Sequence, residues 1–557
     1  MSVLDVADST APVVAHRAPR WALWSVALLV MVIGLAALGD PATNSGSDAG
    51  AKLATVASIA EHGLDGGDLG YWAEDADPTG EHRPFTFGVR TPRGWVHATS
   101  ATMPMLAALG WLAAGSLGAL WPALLSVPLG ALGAARLARA LGAPTGASAF
   151  WVIGAASPLT YYGLDQWEHA PALAASIWAI ALLLERPVGW AIVRLGLIAG
   201  LAVVLRRETA IMLTIVGLVA LVERSDRRHW LQQLRWAIAG VSAGLGTLIA
   251  ADLLDRRVLG RTLSAKARSQ VGEASGVSID GDSDVLLTTI SQYTTTDTTY
   301  LVLSVVTLVG ATLAARAWRD DDRNLGLVGT VLLVGGVVLR WRIAGAVYVP
   351  GAFAVLPIVA AVPIVAKQAG RRLALAAVAA TLITLAVQDV GALAAQWGGR
   401  YLLVPAATLA IVALGGIERL ALDRRGADPL RFVPVALVGS TVAIGALGLW
   451  WHVDRADQLA ASRDAVFDVV GEDVVVSVHS HFPREIAVDV GDKPWLLAAG
   501  DVDAAVEVAR EAAPDRRVWL LEPITCPEGH CADVDPEAVV VPRLGGETAW
   551  FLLTPQP

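Results

Sequence analysis

Apolar residues run along this chain in blocks of about twenty, separated by short polar stretches that carry most of its charge. About twenty apolar residues make a helix that crosses the hydrocarbon core of a bilayer. Each block therefore predicts a span: 21–39, 119–138, 145–162, 169–185, 189–205, 209–223, 232–252, 299–317, 324–343, 350–367, 373–393, 401–420 and 433–451. The stretch from Met103 to Ala114 is different, being short, preceded by a polar region and interrupted by Pro104. It reads as a helix lying on or dipping into the membrane face. After residue 451 the pattern changes again. Asp473 to Val478, Trp495 to Ala498 and Arg517 to Leu521 read as buried strands, and Asp501 to Ala512 as an amphipathic helix with Asp501 near its cap. Strand, helix, strand in that order predicts a small α/β domain with a parallel core.

Composition agrees with the pattern. The chain has 557 residues, 55% of them hydrophobic and only 17% charged, and its mean hydropathy is +0.55, which excludes a single soluble domain. The expected fold class is an α-helical polytopic membrane protein of about thirteen spans with a small C-terminal extracytoplasmic α/β domain. Orientation follows from the basic residues. Arg136 and Arg139, Arg186 and Arg194, Arg224 to Arg235, Arg316 to Arg323, Lys367 to Arg372, and Arg419 to Arg431 fall in alternate loops. The positive-inside bias then places the N-terminus in the cytoplasm and, with an odd number of spans, the C-terminus outside. Arg17 and Arg20 precede a first apolar run longer than a signal-peptide core, so that span is read as retained. The expected organisation is a cytoplasmic segment 1–20, a membrane domain 21–451 whose first outer loop covers 40–116, and an outer domain 452–557. The net charge of −9 is unevenly spread and says little about partners; nothing points to nucleic acid. The two cysteines, Cys526 and Cys531, are spaced for neither a zinc site nor a redox pair, which leaves a local disulfide or two thiols.

Candidate chemistry gathers at the outer ends of spans. Asp40 and Asp48 in the first loop are candidate general bases, because a carboxylate is ionised at neutral pH and can accept a hydroxyl proton. Asp48 stands out because Asn44 to Ser47 break the chain before it and Lys52, Val56, Ile59 and Ala60 begin a helical pattern after it. Arg206, Arg207, Arg340, Arg342 and Arg400 fall on the outer side, against the positive-inside bias, and a guanidinium suits phosphate through paired hydrogen bonds. Arg400 ranks first of these because Trp397 and Tyr401 flank it. Glu168 and His169 end another span, where a sugar contact, a second acid or a divalent-metal ligand are the readings; Tyr71, Trp72 and His97 offer rings and donors to a sugar, or anchor the interface. His479 and His481 read as a plain loop ahead of a substrate-facing pair. No glycine-rich phosphate loop appears in a strand-turn-helix setting, which disfavours a soluble nucleotide-sugar donor.

Several stretches together resemble a known family. Ser47-Asp48-Ala49-Gly50, Ser157 to Tyr162 leading to Gln166-Trp167-Glu168-His169, Leu205-Arg206-Arg207-Glu208, and Gln396 to Leu402 look like parts of the GT-C superfamily of membrane glycosyltransferases. The resemblance covers roughly residues 21 to 451. It implies a GT-C-like fold and a polyprenyl-phosphate sugar donor, with Asp48 as catalytic base of an inverting transfer. The acceptor would be a cell-envelope glycan, lipid or protein. The loop lacks the acid pair of better-known members. Any metal requirement stays unknown. A transporter or flippase of a lipid-linked substrate is the alternative, and paired broken helices in inverted repeats would favour it.

Overall fold

The computed structural model describes residues 20–43, 47–85, 88–97, 99–185, 187–223, 230–261, 298–344, 351–387, 398–424, 429–479, 481–487, 493–525, 539–542 and 549–556. In chain order the helices are α1 (Trp21–Leu38), α2 (Ser47–His62), α3 (Thr102–Ala119), α4 (Trp121–Ala140), α5 (Ala147–Ala155), α6 (Pro158–Tyr161), α7 (His169–Leu184), α8 (Trp190–Leu205), α9 (Thr209–Glu223), α10 (Trp230–Leu259), α11 (Thr298–Asp320), α12 (Arg323–Ala344), α13 (Ala352–Val355), α14 (Val362–Val365), α15 (Gln368–Val387), α16 (Leu403–Asp423) and α17 (Phe432–Val470). Among the described residues nine helices are long and apolar enough to cross a membrane, namely α1, α3, α4, α10, α11, α12, α15, α16 and α17, with α7, α8 and α9 shorter but apolar. The chain is a multi-pass membrane protein. Its centre is the stretch Arg400–Asp423, 89% of whose apolar window is buried, against 17% for α1 at the periphery.

Two expected spans are not continuous helices. The block 145–162 is split between α5 and α6 at Ala156 and Ser157, where the backbone leaves the helical region and Ser157 is extended. Pro158 explains the break, since it has no amide to donate and disfavours helix in the residue before it. Ser157 then caps α6 by accepting from the Leu159 amide. The block 350–367 is divided in the same way by Pro357 and Pro363 into α13, a 3₁₀ turn and α14. Helix α3 reaches spanning length only across a kink. Its backbone leaves the helical region at Ala114 and Gly115, and Gly118 folds back against Gly110. The continuous part before the break is ~18 Å long, too short for a ~30 Å core, as its sequence suggested.

Helix α17 has 39 residues, about 58 Å, nearly twice what a bilayer requires. Its second half carries the chain into the C-terminal sheet. There β3 (Val474–Ser477), β4 (Trp495–Leu497), β5 (Val518–Thr525), β6 (Val539–Pro542) and β7 (Ala549–Gln556) lie in the order β4-β3-β5-β7-β6. The first three are parallel, with Val476 opposite both Leu496 and Leu520, and β7 pairs antiparallel with β5 and β6. Successive side chains on a strand point to opposite faces. Val474, Val476, Leu496 and Leu520 accordingly pack against Ala505, Val506 and Ala509 of the helix Val502–Ala512, whose Asp501 cap accepts from the Ala504 amide at 3.0 Å. Val475, Trp495, Trp519 and Leu521 face the other way, onto Leu459 and Val466 of α17 and Ala51 and Ala54 of α2.

That second face brings the first loop and the tail together on one side of the membrane domain. The loop from 63 to 97, which includes the hairpin of β1 (Gly88–Thr91) and β2 (Gly94–His97), is tied to the sheet by Trp72 Nε1 donating to the Trp495 carbonyl at 3.0 Å and by His82, whose carbonyl accepts from the Leu497 amide at 2.7 Å. The cysteines Cys526 and Cys531 lie outside the described residues.

Candidate active site

Asp48 stands in the first turn of α2, where the helix dipole favours a negative charge. Arg400 lies on a 3₁₀ turn that leads into α16. Two glycines place it there: Gly398 and Gly399 have φ of +76° and +62°, a region open to glycine but strained for other residues. A Cβ on Gly398 would also press on the Pro158 ring. The result is a contact between residues far apart in sequence, with Arg400 Nη1 3.6 Å from Asp48 Oδ2. At that separation the two form an ion pair without a direct hydrogen bond.

The surroundings alternate charges with rings. Tyr401 lies between two guanidiniums, its ring centroid 4.9 Å from both Arg206 and Arg400. Trp167 likewise lies between Lys52, whose Nζ is 4.6 Å from the ring, and Arg400, at 5.9 Å. Each of these cations has a carboxylate close by. Lys52 Nζ is 2.5 Å from Glu168 Oε2, with both side chains almost fully buried, and Arg206 Nε is 2.6 Å from Glu208 Oε1. His169 stacks on Trp167 at 4.9 Å and meets Tyr162 at 4.7 Å. Among the described residues its Nε2 is buried without a hydrogen-bond partner, and so are both polar atoms of the Gln166 carboxamide. Buried polar atoms normally find partners, so these mark a place where polar groups are held ready.

The C-terminal domain reaches the same place. Its short helix Phe482–Glu485 packs on α2 at Gly50, where a Cβ would overlap the Arg484 carbonyl. Arg484 and Glu485 are each only 3% exposed, and Glu485 Oε1 accepts from Arg455 Nη2 of α17 at 2.6 Å. Burial pulls the Arg484 guanidinium down from its ordinary value, and the charges of Asp48 and Glu485 offset part of that. Burial also lowers His481, with Arg484 adding to the effect and Glu485 and Asp48 opposing it. Of the histidine pair in this loop, His479 caps the short helix by accepting from the Phe482 amide at 3.1 Å, while His481 lies within the field of Asp48.

No protein-family model matches the chain, and no curated protein matches it. Among solved structures it is similar to ArnT from Cupriavidus metallidurans bound to undecaprenyl phosphate, at 12% identity over 96% of this chain and 98% of that one, with a TM-score of 0.47. It is also similar to the oligosaccharyltransferase AglB from Archaeoglobus fulgidus in complex with an inhibitory peptide and a dolichol-phosphate, at 11% identity over 89% of this chain and 69% of that one, with a TM-score of 0.39. The likeness is long but distant, and at these values it assigns no chemistry to this chain.

The residues expected from the sequence divide into two groups. Asp48, Arg400, Tyr401, Arg206, Glu168 and His169 come together. Asp40 does not join them: its carboxylate pairs with Arg463 of α17 at 3.0 Å and accepts from the Ala42 amide at 2.8 Å, holding the turn after α1. Tyr71 donates to Asp77 at 2.9 Å, Trp72 is tied to the sheet, and His97 Nδ1 bonds to Thr99 Oγ1 at 3.0 Å, contacts that hold the loop. Arg207 and Arg342 are exposed, and Arg340 is buried against Ser304 within the bundle. Trp397 lies outside the described residues. Among those described, no three His, Cys, Asp or Glu side chains gather as a metal site. Sequence reasoning missed Lys52, Trp167 and Arg484 as parts of the site. For Lys52 a signal existed, since it follows Asp48 by four residues and so shares its helix face.

Proposed function

We propose that this protein is an inverting membrane glycosyltransferase of GT-C type, which moves a sugar from a polyprenyl-phosphate donor to an acceptor hydroxyl at the outer face of the membrane. The observation that carries the reading is the meeting of Asp48 and Arg400, a carboxylate and a guanidinium brought together from distant parts of the chain. A lipid-linked donor keeps its chain in the bilayer and presents its phosphate at the membrane surface. Asp48 takes the proton of the acceptor hydroxyl as that oxygen attacks the anomeric carbon. The bond from that carbon to the phosphate oxygen breaks, and its electron pair leaves with the phosphate. Arg400 turns to the phosphate and stabilises the charge that develops there, with Arg206 across the Tyr401 ring as the second cation. His169 and Glu168 lie where the sugar would rest against Trp167. A glycan, lipid or protein of the cell envelope would be the acceptor, with the N-terminus cytoplasmic and the tail domain outside.

The test is transfer from a labelled polyprenyl-phosphate sugar by purified protein in lipid, wild type against Asp48→Asn. The expected result is loss of turnover in the variant with donor binding retained. A folded Asp48→Asn protein that transfers at the normal rate removes Asp48 as base, and donor binding without turnover in wild type, given a range of acceptors, points to transport.

A further inference from the structure

We infer that the buried turn between α6 and α7 reads the sugar of the donor: Gln166 and His169 hydrogen-bond to its hydroxyls, and the sugar they fit is a neutral one. The inference rests on the reading of this site as one for a polyprenyl-phosphate sugar, and on the turn itself for the rest. Every residue from Ala156 to Ala170 is buried. Connections between helices normally run over the surface, where water satisfies their polar groups. This one is enclosed, so each polar group needs a partner in the protein or in something bound to it. Most have one. The Ser157 and Thr160 hydroxyls donate to the carbonyls of Ile153 and Gly154, both at 2.6 Å, the Gln166 backbone amide donates to Asp165 Oδ1 at 2.7 Å, and Glu168 holds Lys52. The Gln166 carboxamide and His169 Nε2 have none among the described residues, although the two side chains are 0% and 1% exposed. Turning the carboxamide over changes nothing, because its oxygen and its nitrogen are both left over. An apolar side chain at either position would avoid the cost of burying these atoms unpaired. A ligand that comes to bond them gives the polar side chains their purpose.

The place of the turn indicates the ligand. His169 stacks on Trp167 at 4.9 Å, and the Trp167 ring lies 5.9 Å from the Arg400 guanidinium. His169 is thus one ring removed from the arginine assigned to the phosphate, which is where a sugar on that phosphate lies. The chemistry fits hydroxyls. A carboxamide presents two donors and an acceptor, and an imidazole nitrogen donates or accepts according to its tautomer. A hydroxyl does both, so neighbouring sugar hydroxyls satisfy all three atoms. The charges favour a neutral sugar. Lys52 and Glu168 are 2.5 Å apart and almost fully buried, so each is already neutralised by the other. A uronate or an amino sugar would bring its own charge into this enclosed turn without a counter-charge left to meet it.

The experiment measures binding by wild type, Gln166→Met and His169→Phe, all as full chains in lipid. The probes are bare polyprenyl phosphate, a panel of polyprenyl-phosphate hexoses and pentoses, and polyprenyl-phosphate glucuronate and glucosamine as charged controls. Wild type should bind at least one neutral-sugar lipid about tenfold or more tighter than the bare lipid, and the charged forms no tighter than the bare lipid. Methionine keeps the length of glutamine, and phenylalanine keeps a ring against Trp167. Each variant should cut the sugar preference to within about twofold while moving affinity for bare polyprenyl phosphate by less than about twofold. Wild type is also titrated with monodeoxy forms of its preferred sugar lipid, which needs no variant to fold; removal of one or more particular hydroxyls should cost about tenfold each. A sugar preference that survives in both variants, as it would if the unpaired atoms only held a buried water, overturns the inference. So does a wild type that binds the bare lipid as tightly as every neutral-sugar lipid, that prefers a charged sugar, or that tolerates every deoxy form. Sugar preference without transfer to any acceptor would instead remove the glycosyltransferase reading and leave the sugar-binding turn in place.

Discussion

Lys52→Met should destabilise this protein more than almost any other single change at the site. The ammonium lies 2.5 Å from Glu168 Oε2, and the two side chains are 2% and 7% exposed, so solvent screens the pair little. Methionine keeps the length of the stem and removes the charge, leaving a carboxylate at the start of α7 with no cation in contact. Arg206 is the nearest substitute named by the geometry, but it is committed to Glu208 at 2.6 Å. Breaking a buried pair in this way costs about 3–5 kcal/mol, and loss of the ammonium from the Trp167 face at 4.6 Å is part of the same change. We take the lower end, about 3 kcal/mol, because the Arg206 charge still acts at a distance. Removing both charges in Lys52→Met/Glu168→Gln should bring stability back to within about 1 kcal/mol of wild type, since a neutral buried pair carries no ionic desolvation. The assay is equilibrium unfolding in mixed micelles, followed by the fluorescence of the tryptophans. A cost below about 1 kcal/mol for the single variant, or a double variant no better than the single, would refute the argument that these charges are held by each other.

Three further outcomes follow from the same geometry. Arg400→Ala should weaken donor-lipid binding by about ten- to a hundredfold, the value of one charge-assisted contact of about 1.5–3 kcal/mol, and Arg400→Lys should recover only part of it because a lysine cannot fork onto phosphate; a titration with the lipid phosphate alone checks both, and unchanged affinity in the alanine variant takes Arg400 out of the scheme. Gly398→Ala should lower transfer by displacing the Arg400 turn, since its φ of +76° and the Pro158 ring both oppose a side chain; normal turnover would show that the turn can give. The loop around Asp77 should loosen in acid. Burial raises that carboxyl, but donation from the His82 amide, the Thr79 and Tyr71 hydroxyls and the Glu81 amide outweighs it and holds the group below its ordinary 3.8. A depressed carboxyl stabilises the fold fully above the unfolded value and loses that contribution as pH falls through the folded one. Proteolysis of the 71–97 loop should therefore accelerate below about pH 4 in wild type, and Asp77→Asn, already loosened at neutral pH, should lack this component; equal acid profiles would contradict it.

Some of this architecture is written in the chain and some is not. The tail was legible because strand alternation and an amphipathic helix with an acid cap are local patterns: Val474 and Val476 point one way, Val475 the other, and Asp501 caps its own helix. The spans were legible where the apolar block forms one helix, as in α4, which runs through Pro128. They failed as continuous helices at Pro158, Pro357 and Pro363, where hydropathy is blind to a missing amide. Asp40 and Asp48 were both candidate bases, Asp48 raised by the helical pattern after it, and packing then separates them, one onto Arg463 and the other onto Arg400. The Lys52 to Glu168 pair joins positions 116 apart. No period or motif encodes such a pair; it exists because α2 lies on the start of α7.

Helix α2 explains why these distant pieces meet at all. It has 16 residues and lies outside the bundle, yet it is buried around most of its circumference. Ala49 joins the core of the membrane domain, and Lys52 on the same side reaches Glu168. Ala51 and Ala54, with Gly50 between the turns, take the tail domain. Leu53, Val56 and Ile59 take Val96 of the hairpin, Ala107 of α3 and Val258 of α10. A helix buried on one side only could tilt or slide with its loop. One held on three sides cannot move without opening three apolar contacts at once, at ~25 cal/mol for each Å² exposed. The first-turn carboxylate of such a helix keeps its place relative to the bundle and the sheet together. On the proposed reading that is the condition the base must meet, and it predicts that a change at Ala54, such as Ala54→Trp, lowers turnover by shifting α2 against the tail while leaving donor-lipid binding at Arg400 largely intact; equal loss of both would mean that the helix moves as one body with the bundle.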